Sequence, residues 1–144
     1  MPSEQHFRRL ERMYLSAPIN DYYDPQLTVE EGKARLQFDV RPEFFHAANA
    51  VHGSVYFKAL DDAAYFAVNS LVEDVFVLTV TFNIELLRPV SSGTLTAEGR
   101  VLHASPRLYC AESELRDGKG RLLGLGRGTF LPSTIALTPE VGYA

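Results

Sequence analysis

Phe44-Phe45-His46-Ala47-Ala48-Asn49-Ala50-Val51-His52-Gly53-Ser54-Val55-Tyr56-Phe57-Lys58-Ala59-Leu60-Asp61-Asp62-Ala63-Ala64-Tyr65-Phe66-Ala67-Val68-Asn69-Ser70 is the one long stretch of the chain with a helical, Ala-rich character. It is entered through a polar, glycine-containing turn. A helix whose first turn carries His-Gly-Ser offers unpaired backbone N–H groups to any polarised oxygen placed there. On a wheel at about 100° per residue, Val55, Tyr56, Ala59, Leu60, Ala63, Ala64, Phe66 and Ala67 form an apolar arc. Ser54, Lys58, Asp61, Asp62, Tyr65 and Asn69 form the other arc. Asp61 falls in line with Ser54 and Tyr65, whereas Asp62 lies nearer the boundary of the apolar arc. Both carboxylates stand within roughly 12 Å of the helix entrance, at 1.5 Å of rise per residue.

The flanks on either side read as a helix and strands. Ser3 is placed to cap a short helix in which Phe7, Leu10, Tyr14 and Ala17 recur at three- and four-residue spacing until Pro18 stops it, a lid or flank for the core. Residues 20–25 form a polar, Tyr-rich loop. Gln26 to Glu30 is a short strand reversing at Glu31-Gly32, and Ala34, Leu36, Phe38 and Val40 alternate with polar residues in its partner. Beyond the central helix, Phe76, Leu78, Val80, Phe82, Ile84 and Leu86 share one face of a long strand, with Thr79, Thr81, Asn83 and Glu85 on the other. Further strands are expected at 94–103, 108–116 and 121–131, with Asp117-Gly118-Lys119-Gly120 as a hairpin turn. Gly124, Gly126 and Gly128 fall on one face of the last strand and let another backbone or helix come close. The tail, 132–144, shows no periodicity and is expected to be loosely held.

One helix inserted early among strands joined by tight turns predicts an antiparallel sheet wrapped on that helix, an α+β class domain. At 144 residues the chain fits a single domain spanning 1–144, with a core over about 20–131. A net charge of −4 gives no general attraction to nucleic acid or to an anionic membrane. The lone cysteine, Cys110, excludes an intrachain disulfide, and no zinc-like spacing of Cys or His is present. Charges at Glu4, Arg8, Arg9, Glu11 and Arg12 interrupt any apolar signal core, so a cytoplasmic location is expected.

Two readings compete for the acids. Asp61 and Asp62 are solvated, with Lys58 pairing to one of them at helical spacing; or the His-Gly entrance and an acid on the same segment supply an oxyanion binder together with a base or nucleophile. The second is what hydrolysis of an activated acyl group requires. His46 and His52 have no further ligands around them and read as loop histidines rather than metal ligands. Arg88, Arg107 and His103 lie at or near strand ends, where they could meet phosphates or serve as ion-pair partners.

His52-Gly53, Asp61 nine residues after the histidine, the strand ending Leu86-Leu87-Arg88-Pro89 and a Gly93 turn resemble the hotdog-fold acyl-CoA thioesterases, in particular the PaaI-like branch named for phenylacetate degradation. The resemblance covers roughly 36–131. It implies a long helix wrapped by a curved antiparallel sheet, pairing of two subunits through their sheets as a homodimer or dimer of dimers, and active sites between subunits. It further implies Gly53 as the oxyanion N–H, His52 as a loop-setting or carbonyl-contacting residue, and Asp61 as nucleophile or general base contributed across the dimer. Thr79 resembles a small hydroxyl near the attacking water, and Asn69 a residue used late in the helix. Two positions depart from the pattern. The family has Asn or Gln six residues before the motif histidine, where this chain has His46, with Asn49 three residues later; either Asn49 serves or His46 supplies a different donor. Ser54 stands where a second glycine is common, narrowing the site or adding a hydroxyl. The substrate implied is an acyl-CoA, with coenzyme A entering only as part of it and no cofactor or metal. A hotdog protein that binds acyl-CoA without hydrolysing it is the alternative, and a hotdog dehydratase or hydratase a more distant one.

Overall fold

The computed structural model describes residues 2–144. Helix α1 (Glu4–Ser16) begins at Ser3, whose side chain accepts the His6 N–H, and buries Phe7, Leu10, Met13 and Tyr14. The expected loop at 20–25 instead contains a single helical turn, α2 (Asn20–Tyr23), which Asp24 ends in a left-handed conformation (φ 50°). The Asn20 amide donates to the Tyr14 carbonyl at 2.6 Å, so a polar side chain that reads as loop closes the end of α1. Strands β1 (Gln26–Glu30) and β2 (Lys33–Asp39) form the expected hairpin, with Gly32 at φ 72° in its turn. Then come α3 (Gly53–Asn69), β3 (Val75–Leu86), β4 (Thr94–Ala104), β5 (Tyr109–Arg116) and β6 (Leu122–Ala136).

Six antiparallel strands form one sheet in the order β1-β2-β4-β5-β6-β3. Helix α3 lies across its concave face, touching every strand. Residues 63–69 of α3 and the capping Ser70 are buried without a break, Tyr65 and Asn69 included. That corrects the polar arc expected for those two: the helix is wrapped rather than laid on a surface. Asn69 is fully buried and organises the turn into β3, its amide donating to the Val72 and Val75 carbonyls (3.1 and 3.2 Å) and its Oδ1 accepting the Val77 N–H (3.3 Å).

Small residues make the wrapping possible. A Cβ at Gly126 would stand 3.3 Å from Leu60 and overlap the Phe82 ring, and one at Gly128 would strike the Thr81 carbonyl, as the file of glycines in β6 predicts. The tightest approach to the helix lies elsewhere. A Cβ at Gly99 in β4 would run into the Ala63 carbonyl of α3. In β5 the fully buried Ser113 hydroxyl donates to the Leu60 carbonyl at 2.7 Å, tying sheet to helix.

Strand β3 does not present the single apolar face that its alternation suggests. Its register against β6 shifts between Thr79 and Thr81, so Val80 is the extra residue of a bulge. Val77 is fully buried before the bulge and Phe82 and Ile84 pack on the core after it, whereas Leu78 and Val80 turn outward, 46% and 55% exposed. The same shift brings Thr79 round to face α3.

The tail is also held more firmly than expected. Strand β6 runs on to Ala136, the Leu137 N–H bonds the Asp74 carbonyl at 3.0 Å, and a short 3-10 turn at Pro139–Val141 leads to Tyr143, which packs on the core. Period-two patterning was blind to this segment because its last residues are pinned by individual contacts. Among the described residues no helix is long and apolar enough to cross a membrane.

Gly99→Ala is expected to lower stability by about 3 kcal/mol, since helix backbone rather than a movable side chain blocks the new methyl. Urea unfolding would show this as a lower midpoint with an unaltered slope. A midpoint within error of wild type would mean that α3 sits further from β4 than described.

Candidate functional site

Two clusters form at different heights along α3. The first surrounds its N-terminus. His52 is the N-cap, and its Nδ1 accepts both the Ser54 N–H (3.0 Å) and the Ser54 hydroxyl (2.8 Å). Gly53 is the first helical residue, and its N–H has no acceptor among the described residues. Leu86, at the end of β3, lies close enough that a Cβ on Gly53 would sit 3.1 Å from its methyl. The preceding loop is fixed by its own backbone: the His46 N–H bonds the Ala50 carbonyl (2.9 Å), and the Val51 N–H bonds the Val90 carbonyl (2.9 Å). His46 Nδ1 accepts the Ala48 N–H at 3.0 Å, and Asn49 adopts φ 63° while its carbonyl accepts the Ser91 hydroxyl at 3.0 Å. The structure thus gathers His46, Asn49, His52, Gly53 and Ser54 at one end of α3. Arg88 is exposed beside them, its carbonyl held by the Tyr56 hydroxyl at 2.6 Å.

The second cluster is two turns further on. Asp62 accepts the Tyr14 hydroxyl (2.6 Å) and pairs with Lys58 (2.7 Å), and the Lys58 ammonium also lies over the Tyr14 and Tyr23 rings, 5.0 and 5.2 Å from their centroids. Asp61 has only the Thr79 hydroxyl, donating to Oδ1 at 3.0 Å. Burial, with the neighbouring Asp62 charge second, raises the Asp61 pKa to about 6, against smaller opposing effects from Thr79 and Lys58. One acid is therefore committed to a structural ion pair and the other is left available. Nine positions after His52, Asp61 is eight residues from Gly53, about 12 Å along the axis. No side chain in one chain bridges that gap, so the predicted site residues divide between two places.

Sequence reasoning left unresolved which acid Lys58 takes, although Lys58 and Asp62 stand at the favoured four-residue spacing. It missed Tyr14 as the partner of Asp62, because α1 reads only as an apolar face. Tyr65, one turn beyond Asp61, is buried, and its hydroxyl has no hydrogen-bond partner among the described residues. Burial pushes this phenol well above its ordinary range, while the nearby Val77 N–H pulls the other way and the two aspartates add to the rise. A cavity of about 770 Å³ opens beside Asp61, walled by α3, the start of β3, the end of α1 and the segment Pro139–Gly142. Among the described residues no three His, Cys, Asp or Glu side chains cluster to hold a metal.

The thioesterase superfamily model matches residues 48–123. The chain belongs to the thioesterase superfamily. It is 30% identical over 103 residues to a Saccharolobus solfataricus protein named "Putative esterase", covering 72% of this chain and 69% of that one. The PaaI protein from the phenylacetic acid degradation operon of Escherichia coli superposes with a TM-score of 0.86 at 21% identity, over 96% of this chain and all of that one (100%). A Haemophilus influenzae thioesterase superposes with a TM-score of 0.76 at 18% identity, over 83% of this chain and 85% of that one. The fold of this thioesterase-superfamily member is the hotdog fold, as the sequence resemblance implied.

In the folded protein Asp61 retains its proton between its ordinary pKa of 3.8 and about 6, where the unfolded chain has lost it. Its ionisation therefore penalises folding, fully above pH about 6 and not at all below 3.8. Asp61→Asn is expected to stabilise the protein at neutral pH by about 1–2 kcal/mol, a discounted figure for a partly exposed group. The gain should vanish under acid conditions. Carboxyl-carbon NMR titration should place Asp61 near pH 6 and show it moving down in Asp62→Asn, which removes the adjacent charge. An Asp61 midpoint in the ordinary carboxylate range would contradict this account.

Proposed function

We infer that the protein is an acyl-CoA thioesterase, converting R–CO–S–CoA and water to R–COOH and HS–CoA at sites shared by two copies of the chain. The observation that carries this reading is the division of the site. Asp61, poised to ionise near neutrality, and the unpaired Gly53 N–H are separated along one rigid helix, yet both are suited to the same carbonyl. A thioester lacks amide resonance, so one backbone donor aided by the helix dipole and one carboxylate form a sufficient set. The carboxylate attacks the carbonyl carbon or removes a proton from the water that does. The charge that builds on the carbonyl oxygen is received by Gly53 N–H. The thiolate of coenzyme A then leaves: in the general-base route it takes up the proton that Asp61 removed from water, and in the nucleophilic route water hydrolyses the acyl–Asp61 anhydride, freeing the acid and the carboxylate and supplying the thiol proton.

The free edge of β3 supplies a way to unite the halves. Leu86 lies beside Gly53 and Thr79 beside Asp61. Antiparallel pairing of β3 with its copy about a two-fold axis centred on Asn83, with Val80 left over as the extra residue of its bulge, sets the Thr79 of one subunit opposite the Leu86 of the other. Each Asp61 then faces the Gly53 of the second subunit. Thr79 orients the carboxylate, and His52 and Ser54 hold the turn that presents the donor.

Thiol release from short, medium, long and aromatic acyl-CoAs tests the reading. Asp61→Asn should reduce kcat about a thousand-fold, and Thr79→Ala roughly tenfold. The wild-type kcat/KM profile should lose activity below pH about 6, as the carboxylate becomes protonated. Retained turnover in Asp61→Asn would sink the assignment. Tight acyl-CoA binding with no thiol release from any of the four classes would instead favour a non-hydrolytic binding protein.

A further inference from the structure

The cavity beside Asp61 has a far wall that does not come from the helix or the sheet. It is the C-terminal strap Pro139–Gly142, laid against the last turn of α1. Four contacts lock it there. His6, buried, accepts the Tyr143 hydroxyl at Nδ1 (2.7 Å) and donates from Nε2 to the Asn69 carbonyl at the end of α3 (2.9 Å). Arg12 donates to the Ala144 carbonyl, and the Arg9 guanidinium lies 5.7 Å from the centre of the Tyr143 ring. Gly142 takes φ 88° with its α-carbon so close to Ser16 that a Cβ would collide with the hydroxyl. Only glycine meets both conditions.

The direction of the cavity follows from α3. Asp61 is partly exposed, Tyr65 one turn on is buried, and the strap's anchor at Asn69 is fully buried two turns on, about 12 Å away by helical rise. Its remaining lining is largely apolar, with Met13, Phe66, Phe76 and Val77 along the walls. We propose that this cavity receives the acyl group and that the strap, through Val141, is the specificity-determining element that stops it at a medium-length chain or a single ring. This rests on the thioesterase reading for the placement of the carbonyl at Asp61. Its size falls within the roughly 300–1,000 Å³ usual for small-molecule pockets. A long fatty acyl chain would have to displace the strap and break its bonds to α1.

The test uses the full-length protein and S-butyl-, S-octyl- and S-dodecyl-CoA, thioethers that cannot be hydrolysed, titrated by calorimetry. Thiol release from the matching acyl-CoAs is followed in parallel. In the wild type, affinity should rise from butyl to octyl and gain nothing at dodecyl. Val141→Ala, which only removes methyl groups, should carry the rise on to dodecyl. Val141→Trp should lower the octyl-to-butyl affinity ratio roughly tenfold. One length profile shared by all three proteins, or wild-type affinity still climbing at dodecyl, would overturn the proposal. A length break without thiol release from any substrate would leave the strap assignment standing and remove the thioesterase reading, so the two fail separately.

Discussion

The contact of α3 with its sheet, backbone against backbone at Gly99 and Ala63, is the constraint from which the rest of the structure follows. A helix drawn in that close has no polar side to spare over its second half, which is why residues 63–70 are buried without interruption. The polar groups it must carry there are used up inside the protein: Asn69 closes the turn into β3, and Ser70 bonds the Gly32 N–H at 2.8 Å. Only the first half of the helix reaches solvent. The polar groups the helix leaves accessible are therefore confined between Gly53 and Asp62, with a fixed spacing that no loop movement can change.

That rigidity keeps the Gly53 N–H and the Asp61 carboxylate apart. It also allows two neighbouring acids to diverge. Asp62 faces α1, pairs with Lys58 and accepts the Tyr14 hydroxyl, whereas Asp61 faces β3 and meets only a threonine hydroxyl. The bulge at Val80 makes the second environment, because without it the face carrying Thr79 would be on the outside of the sheet. Holding an acid in this state costs stability above pH about 6. The strand that brings Thr79 to Asp61 is also an edge of the sheet, so β3 has backbone groups free to pair with another strand beside the cavity.

Much of this was legible in the sequence, and the rest was not for identifiable reasons. The Ser3 cap, the Glu31-Gly32 hairpin, the start of α3 at Gly53 and the close approach along Gly124, Gly126 and Gly128 each rest on local chemistry that a short window displays. The pairing of His-Gly with an acid nine residues later carried the resemblance that the thioesterase superfamily model bears out. What failed needed tertiary context. A one-residue bulge inverts the period-two face of β3 and leaves no local trace in Val80. Tyr65 and Asn69 read as polar by residue type and are buried because the sheet curls round them. The C-terminal strap is fixed by single contacts to α1, which lies more than a hundred residues earlier in the chain. Gly99 resembled any strand glycine until the helix carbonyl above it was located.

The central claim is that each site takes its carboxylate from one subunit and its oxyanion donor from another, and subunit complementation measures this most directly. Asp61→Asn removes the base. Gly53→Pro removes the N–H at the first helical position, where proline is well tolerated, and His52 before it already has the extended backbone that proline requires (φ −64°, ψ 146°). Each variant alone should be inactive. Unfolded together and refolded as an equal mixture, they form mixed dimers in which one of the paired sites has both native groups, and thiol release should return to about a quarter of the wild-type rate. No recovery, with mixed dimers shown to be present by mass, would contradict a site divided between subunits.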